Sequence, residues 1–195
     1  MKKTNAEYPI LLKDGAMKLI IGIGNGGAAY ENTYHNAGIV ALRKIAEEAA
    51  GGEKFKKHSD LFRYLKKNGF VFVESMVFMN ESGLVVAESK KKFGVKDEDM
   101  LVIHDDSDIG LGKFKLSFDR SSAGHKGVES IIRRIRTKKF WRLRLGIRSH
   151  GSKAKAETFV LNKIKGADHK KIDFVAGEIT KIIFPKEPAI DSGGR

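Results

Sequence analysis

The sequence predicts a single three-layer α/β/α domain built on a twisted, mixed, mostly parallel sheet. Two observations carry that reading. Short apolar runs alternate with stretches of helical periodicity from residue 17 to residue 183, the pattern of strands joined by helices. At 195 residues the chain is long enough for one well-buried core and short for two domains. A third observation is where the polar side chains fall. Amides, imidazoles and carboxylates follow directly on the apolar runs, and in open α/β sheets the binding cleft lies beyond the carboxyl ends of the strands.

Taken in order, residues 1–16 read as an N-terminal extension, and residues 17–23 form a first core strand that breaks at Gly24 and delivers Asn25. A helix is expected over Ala37–Ala49, where Val40, Leu42, Ile45, Ala46 and Ala49 share a face and Gly51-Gly52 stops it. Residues 53–68 are charged and irregular, with a short strand at Leu61–Leu65. Phe70–Val73 is a strand, and the apolar run Met76–Met79 ends on Asn80. Leu84–Phe93 reads as a helix closed by lysines and Gly94, and a strand at residues 100–103 then ends in His104-Asp105-Asp106. A turn at Gly110 and Gly112 leads to a strand over Lys113–Phe118. Gly127–Arg136 is helical, burying Val128, Ile131, Ile132 and Ile135 with its arginines facing out. Arg142–Ile147 alternates charge with aliphatic and suits a strand. A last helix runs over residues 167–183, and residues 186–195 are a tail.

Composition narrows the partners. There are 37 Lys and Arg against 24 Asp and Glu, a net charge of +13, and an excess of that size points to a polyanion, nucleic acid first. Clustering strengthens this: eight cations fall between Arg133 and Arg148 with no acid among them. Cysteine is absent, which excludes disulfides, thiolate metal sites and a thiol nucleophile and suits a cytoplasmic location. No apolar run approaches a membrane span, so no membrane partner is expected, and Lys13 and Asp14 interrupt the only N-terminal apolar stretch, which argues against a signal peptide.

Gly22, Gly24 and Gly27 satisfy GxGxxG after a strand, but the second strand ending in a ribose-binding acid is missing, so a dinucleotide is not expected. The glycines serve a sharp turn that presents Asn25. His35 is the candidate base: it sits close to that turn, between Tyr34 and Asn36 rather than among aliphatics, and a neutral imidazole takes a proton from water near physiological pH. That role needs an orienting partner, for which Asp105 is the best placed. Asp108 reads as a helix-capping acid. No second ligand pair with helical spacing appears among His58, His125, His150 and His169, and no GxSxG occurs, so neither a metal nor a serine nucleophile is expected.

These residues resemble the bacterial-type peptidyl-tRNA hydrolases. The family pattern GxGNPGxxYxxTRHNxG is met by Gly22 through Gly38, with Gly26 in the proline place and Tyr34 in the arginine place. Four further segments follow in order: Phe78–Gly83, His104–Asp108, Ala123–Val128 (with Lys126 where the family has asparagine) and Phe140–Ile147. The resemblance implies a hydrolase-like domain over 17–185 that cleaves the ester joining a peptide to tRNA and so recycles the tRNA, with no cofactor; the sequence leaves the oligomeric state open, with a monomer the default expectation. It implies His35 as general base, Asp105 as its orienting acid, and Asn25 as the carboxamide beside the scissile ester that helps reject free aminoacyl-tRNA. Tyr30, Phe78, Asn80, His125 and Lys126 fall at substrate positions, and Arg144 at a position that grips the RNA backbone of the acceptor end. Ser117, Phe118 and Asp119 replace positions often basic in the family, partly offset by Arg120. On sequence, Gly26 loosens the loop that holds Asn25 and Tyr34 removes a charge beside the base. The alternative reading is an RNA-binding relative whose catalysis is weakened by Lys126 and Tyr34.

Overall fold

The computed structural model describes residues 17–149, 151 and 155–184. The segments read as an N-terminal extension (1–16) and a C-terminal tail (186–195) lie outside them, as does His150. Seven strands form one sheet: β1 (Lys18–Gly22), β2 (Lys56–Lys57), β3 (Phe62–Lys67), β4 (Phe70–Ser75), β5 (Met100–Gly110), β6 (Phe114–Phe118) and β7 (Trp141–Arg148). Their order is β2-β3-β4-β1-β5-β7-β6. The central four, β4-β1-β5-β7, run parallel, and antiparallel strands close both edges. This is the mixed, mostly parallel sheet that the alternating pattern predicts.

Strand parity makes the layers. Successive side chains of a strand point to opposite faces, so Leu19, Ile21, Met100 and Val102 feed one core, while Ile20, Leu101 and Ile103 feed the other. Helices α1 (Ala37–Ala50) and α5 (Gly166–Ile183) cover the second face. Helices α2 (Ser82–Phe93) and α3 (Lys126–Ile135) cover the first. A strand buried on both faces cannot alternate polar with apolar, which is why β1 and the start of β5 read as continuous apolar runs. The one lysine in β1, Lys18, is buried and reaches Asp99 at 2.6 Å. Among the described residues, no helix is long and apolar enough to cross a membrane.

Three expectations need correction. β5 does not stop at residue 103 but runs to Gly110, so His104, Asp105 and Asp106 lie within the strand. Neighbouring β7 continues beside it and supplies the ladder partners, which lets polar residues stay extended. Asp108 caps no helix, because it belongs to the same strand. Residues 53–68 are less irregular than their charge implies: β2 and β3 pair there, and β3 extends to Lys67 because β4 pairs with it over six residues. A one-turn helix, α4 (Ala156–Phe159), lacks any sequence period long enough to announce it.

Candidate active site

Asn25 is held by its neighbour from the chain turn ahead of α1. Its backbone N–H donates to Asn36 Oδ1 at 2.7 Å, and Asn36 Nδ2 donates back to its carbonyl at 2.9 Å. A side chain at Gly24 would strike Asn36 Oδ1 at 2.6 Å, so glycine there is what admits the clasp. The Asn25 side chain is oriented as well: its Oδ1 accepts from Met79 N–H at 2.8 Å. The amide must therefore present its Nδ2 donors toward the cleft.

Gly26 does not loosen this loop. Its N–H donates to Val77 O at 2.8 Å, a bond proline cannot make, and a Cβ would run into the Met76 carbonyl. Tyr34 and Asn36 are likewise structural. Tyr34 is a core side chain whose hydroxyl donates to Asp168 Oδ2 at 2.6 Å, with Phe159 edge-on to its ring. The polar flanks of His35 thus belong to the core and the clasp, and Tyr34 does not line the cleft.

Strand parity also places the dyad. Asp105 continues the Leu101 and Ile103 face of β5, the face that α1 covers, and His35 stands in the 3-10 turn (Tyr34–Asn36) that opens α1. His35 Nδ1 lies 2.9 and 3.0 Å from the two Asp105 oxygens. From the other side, His125 Nε2 reaches Asp105 Oδ1 at 3.0 Å. The tautomers follow from the donors. His125 is the N-cap of α3 and its Nδ1 accepts from Val128 N–H, so its proton sits on Nε2. Asp105 is a pure acceptor when ionised, so His35 carries its proton on Nδ1 and leaves the Nε2 lone pair free. Among the described residues that nitrogen has no protein partner.

Burial alone raises a carboxyl pKa, but the field and hydrogen bond of His125, then the hydrogen bond from His35, outweigh it at Asp105. The group is held far below the ordinary carboxylate range. His104, the next residue back, lies on the opposite face, its ring 4.5 Å from that of His125. Burial first, then His125, push its pKa well below the ordinary histidine value, and it stays neutral. His35, Asp105 and His125 offer three ligand atoms within 4.8 Å of one another. This convergence from three separate elements is invisible to a search for helical ligand spacing. A metal ion there would have to displace the two N–H donors that the carboxylate now holds.

A cleft of about 1000 Å³ opens over the dyad. Asn25, His35, Asp105 and His125 lie on its floor side, with Phe78, Asn80, Lys126 and Arg144 also lining it. Tyr30 joins through Phe78: the rings meet edge-on with centroids 5.9 Å apart, leaving Phe78 half exposed at the rim. Lys126 is exposed at the first turn of α3. Arg144 does not stand free, since its Nε donates to Asp106 Oδ2 at 2.7 Å.

Arg142 was not among the expected site residues. It is buried in the cleft wall, donates from Nη1 to Ser121 O at 2.7 Å, and leaves Nε and Nη2 without an acceptor. Burial, then Arg144, lower its pKa, but a guanidinium remains charged. Ser117, its cross-strand partner on β6, has an unpaired hydroxyl as well. Charge alternation in β7 could flag Arg142 as a cation, but only the fold shows that among the described residues no carboxylate pairs with it directly, Asp119 acting on it only through its field.

The peptidyl-tRNA hydrolase family model matches residues 19–185. Peptidyl-tRNA hydrolase of Mycoplasma capricolum subsp. capricolum is 37% identical over 75% of this chain and 80% of its own length. That of Lactobacillus johnsonii is 38% identical over 80% and 85%. The crystal structure of peptidyl-tRNA hydrolase from Acinetobacter baumannii superposes with a TM-score of 0.73 at 27% identity, covering 86% of this chain and 88% of that one. The match runs from β1 to the end of α5 and takes in the clasp, the dyad and the cleft wall alike, so the chain belongs to the peptidyl-tRNA hydrolase family.

Proposed function

We propose that this enzyme cleaves the peptidyl-tRNA ester by direct attack of a water that His35 activates, with no covalent acyl-enzyme. The observation that carries the reading is the His35 Nδ1–Asp105 bond, which leaves Nε2 unprotonated at the cleft. Nε2 takes a proton from water as the water oxygen bonds to the acyl carbon. The oxyanion that forms meets the Nδ2 donors of Asn25, which are already aimed because Met79 holds the other end of the amide. The tetrahedral intermediate then expels the ribose oxygen, and the imidazolium returns its proton to that leaving group. Asp105, kept ionised, stabilises the imidazolium between the two transfers.

Lys126 adds a charge criterion. It lines the cleft as an exposed ammonium with no carboxylate partner among the described residues. A peptidyl ester presents a neutral amide next to the acyl carbon, whereas free aminoacyl-tRNA presents an ammonium there. Lysine in place of asparagine therefore repels the wrong substrate while still donating to the oxyanion. The β6–β7 wall, with Arg142, Arg144 and Ser117, suits the phosphates of the acceptor end.

Hydrolysis of an N-acetylaminoacyl-tRNA in buffer containing a chelator tests the proposal. Turnover is expected in full, and His35→Ala is expected to lower kcat by roughly 10²–10⁴-fold in a protein that stays folded at the assay temperature. A variant that keeps more than a tenth of wild-type turnover would remove His35 from the mechanism.

A further inference from the structure

Lys126 is fixed in place by its two chain neighbours. On one side His125 donates from Nε2 to Asp105 Oδ1 at 3.0 Å, and that carboxylate also holds the base. On the other side Gly127 is packed so closely that a Cβ there would run into Met79 Sδ. The Met79 N–H is in turn the donor that fixes the Asn25 side chain, at 2.8 Å. The backbone of Lys126 is therefore clamped between the support of His35 and the support of Asn25. Its side chain, on the first turn of α3, is exposed and lines the cleft that those two residues share.

The carboxylates nearest in sequence to the base's partner have cations or N–H donors of their own. Asp105 accepts from two imidazoles, and Asp106 accepts from Arg144 Nε at 2.7 Å. Among the described residues no carboxylate pairs with Lys126. Lys57, Lys67 and Lys181, which do not line the cleft, each reach a carboxylate of the fold. An unpaired lysine on an outer face is simply hydrated. An ammonium in a cleft that a substrate fills gives up part of its water on binding, so the charge of the group that replaces the water matters.

The covalent structure of the ester says what that group is. The acyl carbon is bonded to one Cα, and this atom carries both the amide nitrogen and the side chain of the peptide's last residue. The carboxyl carbon of an aspartate stands two bonds from the same Cα, and that of a glutamate three. A cation that reads the charge on the nitrogen therefore reads the side chain as well.

We propose that Lys126 gives this enzyme a preference for peptidyl-tRNAs whose last peptide residue is acidic, and a matching reluctance toward those ending in lysine or arginine. This rests on the hydrolase reading above and names the substrate class that the site takes best. An asparagine in this place has no net charge and cannot make the distinction. The attraction is present in the bound ester and persists through attack, so it falls on KM rather than on kcat.

The test uses one tRNA esterified in turn with N-acetyl-aspartate, N-acetyl-asparagine, N-acetyl-glutamate, N-acetyl-glutamine and N-acetyl-lysine, with uncatalysed loss of each ester subtracted. Each acid is thus compared with its isosteric amide on the same RNA, and the RNA contribution cancels. Wild type is expected to show a kcat/KM about fivefold higher for the acid, the effect of two unit charges roughly 6 Å apart in a partly hydrated cleft. N-acetyl-lysine should be the poorest substrate. The ratio should fall toward one as salt is raised to about 1 M. Lys126→Asn is expected to bring the acid-to-amide ratio close to one, Lys126→Arg to keep it and Lys126→Glu to reverse it. The same series is measured as direct binding, with each acyl group joined through an amide to a 3′-amino-3′-deoxyadenosine end, and the same ratios are expected in Kd. Equal values for acid and amide in wild type, or the same ratio in wild type and Lys126→Asn, would overturn the proposal and leave the hydrolase reading standing. If wild type hydrolyses none of the esters, the hydrolase reading fails, and the binding ratio alone decides whether Lys126 selects for a carboxylate.

Discussion

The two walls of the cleft are built on opposite terms. On the α1 side the supporting groups are paired: Asn36 holds both backbone groups of Asn25, Met79 holds its side-chain oxygen, and Asp105 holds two imidazoles. Only the atoms that meet the substrate, His35 Nε2 and Asn25 Nδ2, face the cleft open. On the β6–β7 side Arg142 leaves two donors unpaired and Ser117 leaves its hydroxyl so. Leaving a buried donor unsatisfied costs about 1–3 kcal/mol, more for a charged one. A fold that satisfies one wall and strains the other has divided the labour. The first wall needs fixed geometry for a short-lived charge, and the second needs donors that a bound anion completes. Preorganisation belongs where bonds break, and unmet hydrogen-bonding capacity belongs where a ligand brings the acceptor.

The satisfied wall is broken most completely by Asp105→Asn. An asparagine oxygen in the place of Oδ1 can still accept from both rings, but its amide nitrogen then stands where Oδ2 was, 3.0 Å from His35 Nδ1, and that donor favours the His35 tautomer with its proton on Nε2. A His35 ring that protonates Nε2 instead cannot accept from water. A fall in kcat of roughly 10³–10⁴-fold is expected, with KM little changed. The pH dependence of stability separates this from general damage. Because the folded-state pKa of Asp105 is depressed, its contribution is complete above the ordinary carboxylate range and is lost as pH falls through the lowered value. The wild-type stability advantage over Asp105→Asn should thus be largest near neutrality and shrink below about pH 4. An advantage independent of pH would show that Asp105 is not an ionised hub.

The open wall responds in the other parameter. Arg142→Met removes a buried charge that no carboxylate among the described residues pairs directly, so stability is expected to stay within about 1 kcal/mol. KM for the tRNA substrate should rise by roughly fivefold, and the salt slope should fall by about 1. A collapse of kcat with KM unchanged would instead make Arg142 a structural latch on the Ser121 carbonyl, and the contrast between the walls would be lost.

The sequence revealed these walls unequally, for physical reasons. Asn25, His35 and Asp105 were legible because their roles depend on residue type and on short spacings along the chain. The length of β5 was not, because a ladder partner in β7 keeps His104 to Gly110 extended, where local propensity reads a turn. Tyr34 and Asn36 were read as polar surroundings for the base, but their hydroxyl and amide are absorbed by α5 and by the Asn25 backbone. The unpaired state of Arg142 depends on the β6–β7 register, and the shared carboxylate of His35 and His125 on residues 90 positions apart. Neither is a property of any local stretch.

The smallest effect concerns Lys126, which stands at the cleft between the two walls. If its ammonium discriminates by charge, Lys126→Asn should leave hydrolysis of N-acetylaminoacyl-tRNA within about threefold while letting free aminoacyl-tRNA react faster. Two unit charges roughly 6 Å apart in a partly hydrated cleft repel by about 1 kcal/mol, which sets the loss of selectivity near fivefold. The discrimination also carries its own titration. The α-amino group of the free aminoacyl ester loses its proton at about pH 8, so wild-type selectivity should decline as pH rises through that value and the Asn variant should show no such decline. Selectivity that is flat with pH in both proteins would mean that the cleft excludes free aminoacyl-tRNA by shape or by the Asn25 amide, and that Lys126 is a neutral replacement for asparagine.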